Sequence, residues 1–334
     1  MILNRYFIMI KVGVVGYGTI GKRIVDASVD SGFDVAIAVR RYTPKLDIAI
    51  ERKFPLYSMA GDIGIETQGD FEDFVRECDV VVDCTPKNIP AENFSYYKNV
   101  KVIVEGGEKH SLTGFSFSSF GNYEEGVNRE RARVVSCNTT SLVRTLIPLK
   151  EYIDNVFVTL IRRSVDPWDV KGGPINAIVP VLKVPSHHGP DLNTVVPDIS
   201  IRTMAVKVPT TLAHLHVVRV KLKKNMTKED LKYIFENTPR IRVLSGYKST
   251  ADIIEHFRDL GRKRYDMPEV AVFEESINVE SGKAYWIHVV HQESIVIPEN
   301  IDCIKAMFGE KDKWKAIYET DKTLGIEKKK ECYR

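Results

Sequence analysis

The fold turns on "IKVGVVGYGTIGKRIVDASVDSG", Ile10–Gly32. Its opening, "IKVGVVG", is apolar but for Lys11 and reads as a buried strand. Gly16, Gly18 and Gly21 follow in the spacing G-x-G-x-x-G, and "TIGKRIVDASVDSG" reads as a helix closed by Gly32. The glycine pattern alone is weak. Behind a strand and at the start of a helix, it predicts a dinucleotide loop. Gly16 allows the tight turn, Gly18 lets a pyrophosphate approach the backbone, and Gly21 lets helix and strand pack closely. Thr19 and Ile20 offer amide N–H groups at the helix start, where backbone donors and the helix dipole favour an anion. The competing reading is that the glycines serve packing only.

The alternation continues outward. "FDVAIAV" (Phe33–Val39), "DVVVDCTP" (Asp79–Pro86), "VKVIVEGG" (Val100–Gly107) and "RARVVSC" (Arg131–Cys137) read as further strands, with "FEDFVRE" as a helix between them. Continuous apolar runs separated by helices predict a parallel, doubly wound α/β sheet of Rossmann type. The second half differs. "VFVTLIRR", "SIRTMAVKVP", "LHVVRVKL", "VAVFEESINVE" and "AYWIHVVHQESIVI" are longer and alternate more, which predicts an α+β domain with a mostly antiparallel or mixed sheet. "TKEDLKYIFENTP" and "STADIIEHFRDLGR" are helices among them, Thr227 capping the first. The expected division is a dinucleotide-binding domain at 1–138 and a substrate domain at 139–297. A C-terminal helix of about 298–334, with Pro298 in its first turn, is expected to pack back on the first domain.

A chain of 334 residues suits two domains or one large one, and its 43% hydrophobic and 28% charged residues describe an ordinary soluble globular protein. The net charge of +3 suits small anionic ligands without calling for nucleic acid. No aromatic-interleaved basic stretch or DNA-reading helix is present, and the basic end "GIEKKKECYR" reads as a solvated tail. Five cysteines without a CxxC pair imply reduced thiols and a cytoplasmic setting. No apolar run approaches the ~18 residues of a membrane span. The apolar start "MILNRYFIMIKVGVVGYG" runs straight into a strand and lacks a signal-peptide cleavage site. Met9 offers a second start, which would make Met1–Ile8 an added segment.

The end of the second strand separates the two nicotinamide cofactors. An NAD-selective site wants Asp or Glu there for the ribose 2′-hydroxyl. Here "AVRRYTP" sets Arg40 and Arg41 in that place, and Asp34 lies at the far end of the strand. Arginine suits a 2′-phosphate, so NADP is preferred, with NAD use also open. The alternative is that one or both arginines simply face solvent.

The chemistry centres on "VVSCNTTSLVRTL", Val134–Leu146. Cys137 ends a strand and precedes a helix expected to begin near Thr139. Helix N-terminal amides favour a thiolate and can hold an oxyanion. A small buried cysteine is the alternative on spacing alone. A thiol nucleophile needs a base or proton relay. "PSHHGPD" carries His187 and His188, "PTTLAHLH" carries His214 and His216 on one strand face, and "VHQES" carries His291. "IRRSVDP" adds Arg162 and Arg163, and two adjacent cations imply an anionic partner. No paired carboxylate or thiolate accompanies the histidines as a metal set would need.

Together, "GYGTIGKR", "EGGEKH", "SCNTT", "RRSVDP", "GPINAIVP", "PSHHGPD", "VPTTLAHLH", "STADIIE", "RDLGR" and "HQESIVIPENIDCIKAM" resemble archaeal-type glyceraldehyde-3-phosphate dehydrogenase. They span essentially the whole chain after Met9, and the combination is specific where "GYGTIG" alone is not. The resemblance implies phosphorylating oxidation of D-glyceraldehyde 3-phosphate to 1,3-bisphosphoglycerate and the reverse, in glycolysis and gluconeogenesis. It also implies a homotetramer. By motif it makes Cys137 the nucleophile, flanked at the substrate by Ser136 and Asn138. It puts Thr19, Ile20, Gly107, Arg163 and Gln292 at cofactor-binding positions and His188 and Gly189 at substrate-binding positions. His214 falls at the acid/base position, with His216 competing for it. Arg162, Arg163, Thr139 and His188 then become holders of the two phosphates. The family usually has Asn at Val15 and Gly at Ser141; neither departure removes a reacting group. Two other readings compete: another thiol-dependent NADP aldehyde or acyl-phosphate reductase, such as aspartate-semialdehyde dehydrogenase, and a non-enzymatic nucleotide-binding sensor.

Overall fold

The computed structural model describes residues 9–334; the choice between Met1 and Met9 as the start lies outside the described residues. Two sheets organise the chain. The first contains β1 (Lys11–Val15), β2 (Asp34–Val39), β3 (Leu56–Ser58), β4 (Val80–Asp83), β5 (Lys101–Val104), β6 (Ser116–Phe117) and β7 (Arg131–Val134). Their order is β3-β2-β1-β4-β5-β7-β6, and every pair is parallel. Val12, Val14, Val80, Val82 and Ile103 are fully buried within it, because helices cover both faces. The chain leaves β1 in one direction along the sheet and resumes at β4 in the other. The crevice at the carboxyl ends of β1 and β4 is therefore where a ligand of such a sheet binds.

The second sheet holds β8 (Ile153–Arg163), β9 (Val179–Pro180), β10 (Ile201–Val208), β11 (His214–Leu222), β12 (Ile241–Leu244), β13 (Val270–Phe273), β14 (Asn278–Glu280) and β15 (Lys283–Val290). It is mixed: β8 runs parallel to β10 and antiparallel to β11, while β11 and β15 are antiparallel. The helix Cys137–Leu146 packs against β13 and β15. That contact brings the end of the first sheet onto the inner face of the second.

Local chemistry sets the element ends. Asp70 and Asp73 form a capping box that opens the helix Phe71–Glu77, and Thr227 and Asp230 do the same for Lys228–Asn237. Two expectations need correction. The last helix is not one piece over 298–334: Ile297–Met307 and Lys313–Thr323 are separate, broken by Gly309 at φ +94°. The first of them packs on the helix Gly21–Asp30. "VAVFEESINVE" is likewise two strands, β13 and β14, split by a 3-10 turn at Glu274–Ser276.

A fully buried charge network rivets the second sheet to the C-terminal helices. Arg144 Nη2 meets Glu299 Oε1 at 2.8 Å, while Arg240 meets Asp302 at 2.7 Å and Asp321 at 2.6 Å. Removing one partner of such a network would strand a buried charge, at a cost of about 3–5 kcal/mol. Closer to the glycine loop, Asp26 receives Arg264 and Lys263, each at 2.7 Å, and also Arg52. Arg23 Nη2 meets Asp266 at 2.7 Å. These pairs tie the helix Gly21–Asp30 to the segment before β13.

Candidate active site

The helix after β7 begins at Cys137 itself, two residues earlier than the expected start near Thr139. Ser136 is its N-cap, with Oγ accepting from the Thr139 N–H at 3.3 Å. Cys137 therefore stands at the first helical position, beside the free amides of the first turn. It lines a cleft of about 780 Å³ that also reaches Ser136, Asn138, Arg162, His188 and His214. Ile20, Gly107 and Gln292 line the same cleft from the first domain and from the turn after β15.

The electrostatics differ from the sequence expectation of a ready thiolate. Burial pushes the Cys137 thiol up to about 11, against the pull of Arg162, Arg163 and the Asn138 N–H. A helix terminus stabilises charge locally, but desolvation of the whole site outweighs it. The resting sulfur is thus a thiol, and its proton needs an acceptor. His214 is buried, and burial followed by the neighbouring Arg163 holds its pKa well below the usual imidazole range. Its Nδ1 accepts the backbone N–H of Arg163 at 3.0 Å, while its Nε2 makes no hydrogen bond among the described residues. Because Nδ1 accepts, the neutral ring carries its hydrogen on Nε2, which is left as an unpartnered donor. His216 is placed otherwise: its Nε2 is 2.9 Å from Asn138 Oδ1 and its Nδ1 is 3.0 Å from His288 Nε2.

A second cleft, of about 620 Å³, lies at the glycine loop and is lined by Gly16, Gly18, Arg40, Arg41, Thr43 and Lys45. Gly16 has φ +87°, and a Cβ at Gly21 would lie 1.9 Å from the Gly16 carbonyl oxygen. Side chains are excluded at both positions, so the loop curls tightly against the helix start and leaves its amides for a pyrophosphate. Arg40 and Arg41 are exposed, with no ion-pair partner among the described residues. The cradle and its cations fit a dinucleotide. Lys87 lines both clefts and marks where they meet.

The remaining sequence candidates sit behind these walls. The Thr19 hydroxyl is 3.1 Å from Asp166 and accepts from Trp168 Nε1 at 2.9 Å. Thr139 Oγ1 donates to Asp191, and the Gly189 N–H donates to Thr203 Oγ1 at 3.1 Å. The Arg163 guanidinium is taken by the Val165 carbonyl, Asp166 and Glu293. Sequence reading missed Lys45, Lys87 and Glu105. Lys87 lies four residues past the carboxyl end of β4, and that place was its available signal. Glu105 lines the 780 Å³ cleft and is pushed up to about 8 by burial. Among the described residues no group of three or more His, Cys, Asp or Glu is placed to hold a metal ion, and no helix is long and apolar enough to cross a membrane.

Comparison with known proteins decides the family. The chain is 46% identical over 331 residues to the glyceraldehyde-3-phosphate dehydrogenase of Thermococcus kodakarensis, covering 95% of this chain and 99% of the relative. The chain belongs to the glyceraldehyde-3-phosphate dehydrogenase family. The dehydrogenases of Pyrococcus furiosus (45%, 331 residues) and Methanococcoides burtonii (46%, 332 residues) match over the same shares of both chains. Residues 136–260 match the family described as glyceraldehyde 3-phosphate dehydrogenase, C-terminal domain, and residues 10–118 match dihydrodipicolinate reductase, N-terminus. Among solved structures, aspartate semialdehyde dehydrogenase II from Vibrio cholerae superposes with TM-score 0.66 at 13% identity, covering 90% of this chain and 98% of that one. At that identity the likeness is one of fold. The family's C-terminal domain match opens at Ser136, so it takes in Cys137, His188 and His214 together.

Proposed function

We propose that the chain catalyses the reversible, phosphorylating oxidation of D-glyceraldehyde 3-phosphate to 1,3-bisphosphoglycerate with NADP, and less readily with NAD, as a step of glycolysis and gluconeogenesis. One observation carries this reading: Cys137, at a helix start, shares a cleft with a neutral His214 and with Arg162. Cys137 Sγ bonds to the aldehyde carbon as its S–H proton passes to the carbonyl oxygen, giving a hemithioacetal. As the hydride leaves the same carbon, the oxygen's proton passes to His214 Nε2, whose own hydrogen has by then moved to Nδ1 with release of the Arg163 N–H, and a thioester on Cys137 remains. When bound, the nicotinamide supplies the hydride acceptor. Inorganic phosphate then attacks the thioester carbon, the C–S bond breaks, and the acyl phosphate leaves.

The side chains divide the remaining work. Arg162 holds the phosphates and His188 forms the wall beside it, while Ser136 and Asn138 flank the reacting carbon. Gly16, Gly18, Ile20, Gly107 and Gln292 carry the dinucleotide, and Arg40 and Arg41 meet the 2′-phosphate. Thr19, Gly21, Thr139, Arg163 and Gly189 support these groups from behind. Self-association as a homotetramer is supported by apolar side chains left in solvent: Val170, Ile175 and Leu182 after β8, and Met204 and Val217 on the second sheet. The cytoplasm is the setting, with neither nucleic acid nor membrane as partner. The test is an assay of NADP reduction with glyceraldehyde 3-phosphate, with aspartate 4-semialdehyde as the competing substrate. Phosphate-dependent NADPH formation from the first alone is expected. Preference for the second would overturn the reading.

A further inference from the structure

The two histidines opposite each other on β11 and β15, His216 and His288, have no part in the steps above, and neither has Ser141. All three are fully buried behind the start of the nucleophile's helix. They belong to one chain of hydrogen bonds, and one end of it has a direction that chemistry dictates. Indole Nε1 of Trp286 can only donate, and it lies 3.1 Å from His288 Nδ1. His288, kept neutral by burial, therefore carries its hydrogen on Nε2. That Nε2–H donates to His216 Nδ1 at 3.0 Å, so neutral His216 carries its hydrogen on Nε2 as well. His216 Nε2–H donates to Asn138 Oδ1 at 2.9 Å. The amide of Asn138 is thereby oriented: its Nδ2 faces His188 Nε2 at 3.4 Å. The sequence closes with His188 Nδ1–H to Ser186 Oγ at 3.1 Å and the Ser186 hydroxyl to Thr203 Oγ1 at 2.9 Å. Ser141 Oγ donates to the Asn138 carbonyl at 2.8 Å and lies 3.3 Å from His216 Nδ1 and 3.4 Å from His288 Nε2. It ties the backbone of Asn138 to the same imidazole pair.

We propose that Ser141, His216 and His288 are positioning residues that hold the Asn138 amide in one orientation, its NH2 toward the cleft and its oxygen away from it. One Nδ2 hydrogen goes to His188, and the second is left for a ligand oxygen beside Cys137. A flipped amide would turn an acceptor toward the oxygen that gains charge when the thiol adds to a carbonyl, and would oppose that step. The relay also fixes the His188 tautomer. The proposal rests on Cys137 being the nucleophile.

The test compares His288→Leu, His288→Gln and Ser141→Ala with the unaltered protein. Leucine cannot accept from Trp286 or donate to His216; glutamine keeps an N–H near the position of Nε2. His288→Leu is expected to melt cooperatively, to bind NADP as before, and to lose about 10- to 100-fold in kcat. His288→Gln should recover most of that loss. Leucine within about twofold of the unaltered protein, or glutamine no better than leucine, would overturn the relay and leave a packing role. If His288→Leu does not fold, Ser141→Ala carries the same comparison through a smaller cut: lower kcat with unchanged NADP binding is expected, and unchanged kcat counts against the relay. Nitrogen-15 spectra of histidine-labelled protein read the tautomers without substrate. Both His216 and His288 should carry hydrogen on Nε2, and Nδ1–H on either would overturn the proposal. Because that readout needs no turnover, a chain inactive on glyceraldehyde 3-phosphate would sink the proposed function and leave the relay standing.

Discussion

The two clefts that meet at Lys87 are built in opposite ways. Around Cys137 several polar groups are buried and already spoken for: Thr139 by Asp191, Asn138 by His216 and His188, the Arg163 guanidinium by Asp166 and Glu293, with Arg162 and His214 Nε2 left for a ligand. Around the glycine loop the cations Arg40 and Arg41 are exposed and lack ion-pair partners among the described residues. A reacting centre gains from groups fixed before the substrate arrives, because reorganisation then costs nothing at the moment of reaction. A surface that recognises a highly charged, hydrated phosphate gains from cations that stay in water until it binds. Substitutions in the two clefts should therefore fail in different ways.

The largest effect belongs to the buried cleft. Cys137→Ser should lower kcat by at least about 10³-fold while leaving the NADP dissociation constant unchanged. Steady-state assay beside a fluorescence titration of the cofactor checks both halves, and retained turnover would remove Cys137 from the chemistry. The exposed cleft should answer in KM. Changing Arg40 and Arg41 together to Gln should raise the KM for NADP by about tenfold and that for NAD by less than about twofold. An equal rise for both would place the arginines outside 2′-phosphate recognition.

A third substitution, outside both clefts, sharpens the contrast by changing stability without chemistry. Three cations hold the Asp26 carboxyl down to about 2 despite its burial, from an ordinary 3.8. Its stabilisation is present above the unfolded pKa and fades as pH falls through about 2. Asp26→Asn should cost about 2 kcal/mol at neutral pH. Melting curves of the two proteins should differ at pH 7 and converge toward pH 2, with kcat unchanged. A constant difference across that range would show that the ion pairs do not set it.

The fold was legible where burial is written into local composition. β1, β2, β4 and β5 are largely apolar runs, and the glycine loop follows one of them as a dinucleotide loop requires. β3, β6 and β9 are two or three residues long and owe their existence to neighbours already in place. "IRVL" at Ile241–Leu244 looks like any charged alternation until β13 runs beside it in parallel. In the cleft, the motifs supplied the residue types but not their states. A helix start argues for a thiolate at Cys137, and only the packed structure shows how much burial opposes it. His214 and His216 are two residues apart on one strand face; whether a ring nitrogen is free depends on Arg163 and His288, which arrive from other strands.

The central claim is that oxidation ends on Cys137 as an acyl thioester that only phosphate releases. Mixing the protein with NADP and glyceraldehyde 3-phosphate in phosphate-free buffer tests it most directly, with absorbance reporting NADPH. The expected record is a burst of about one NADPH per chain, then a near halt, then resumed turnover when phosphate is added. Steady turnover without phosphate, or the same burst from Cys137→Ser, would contradict the account.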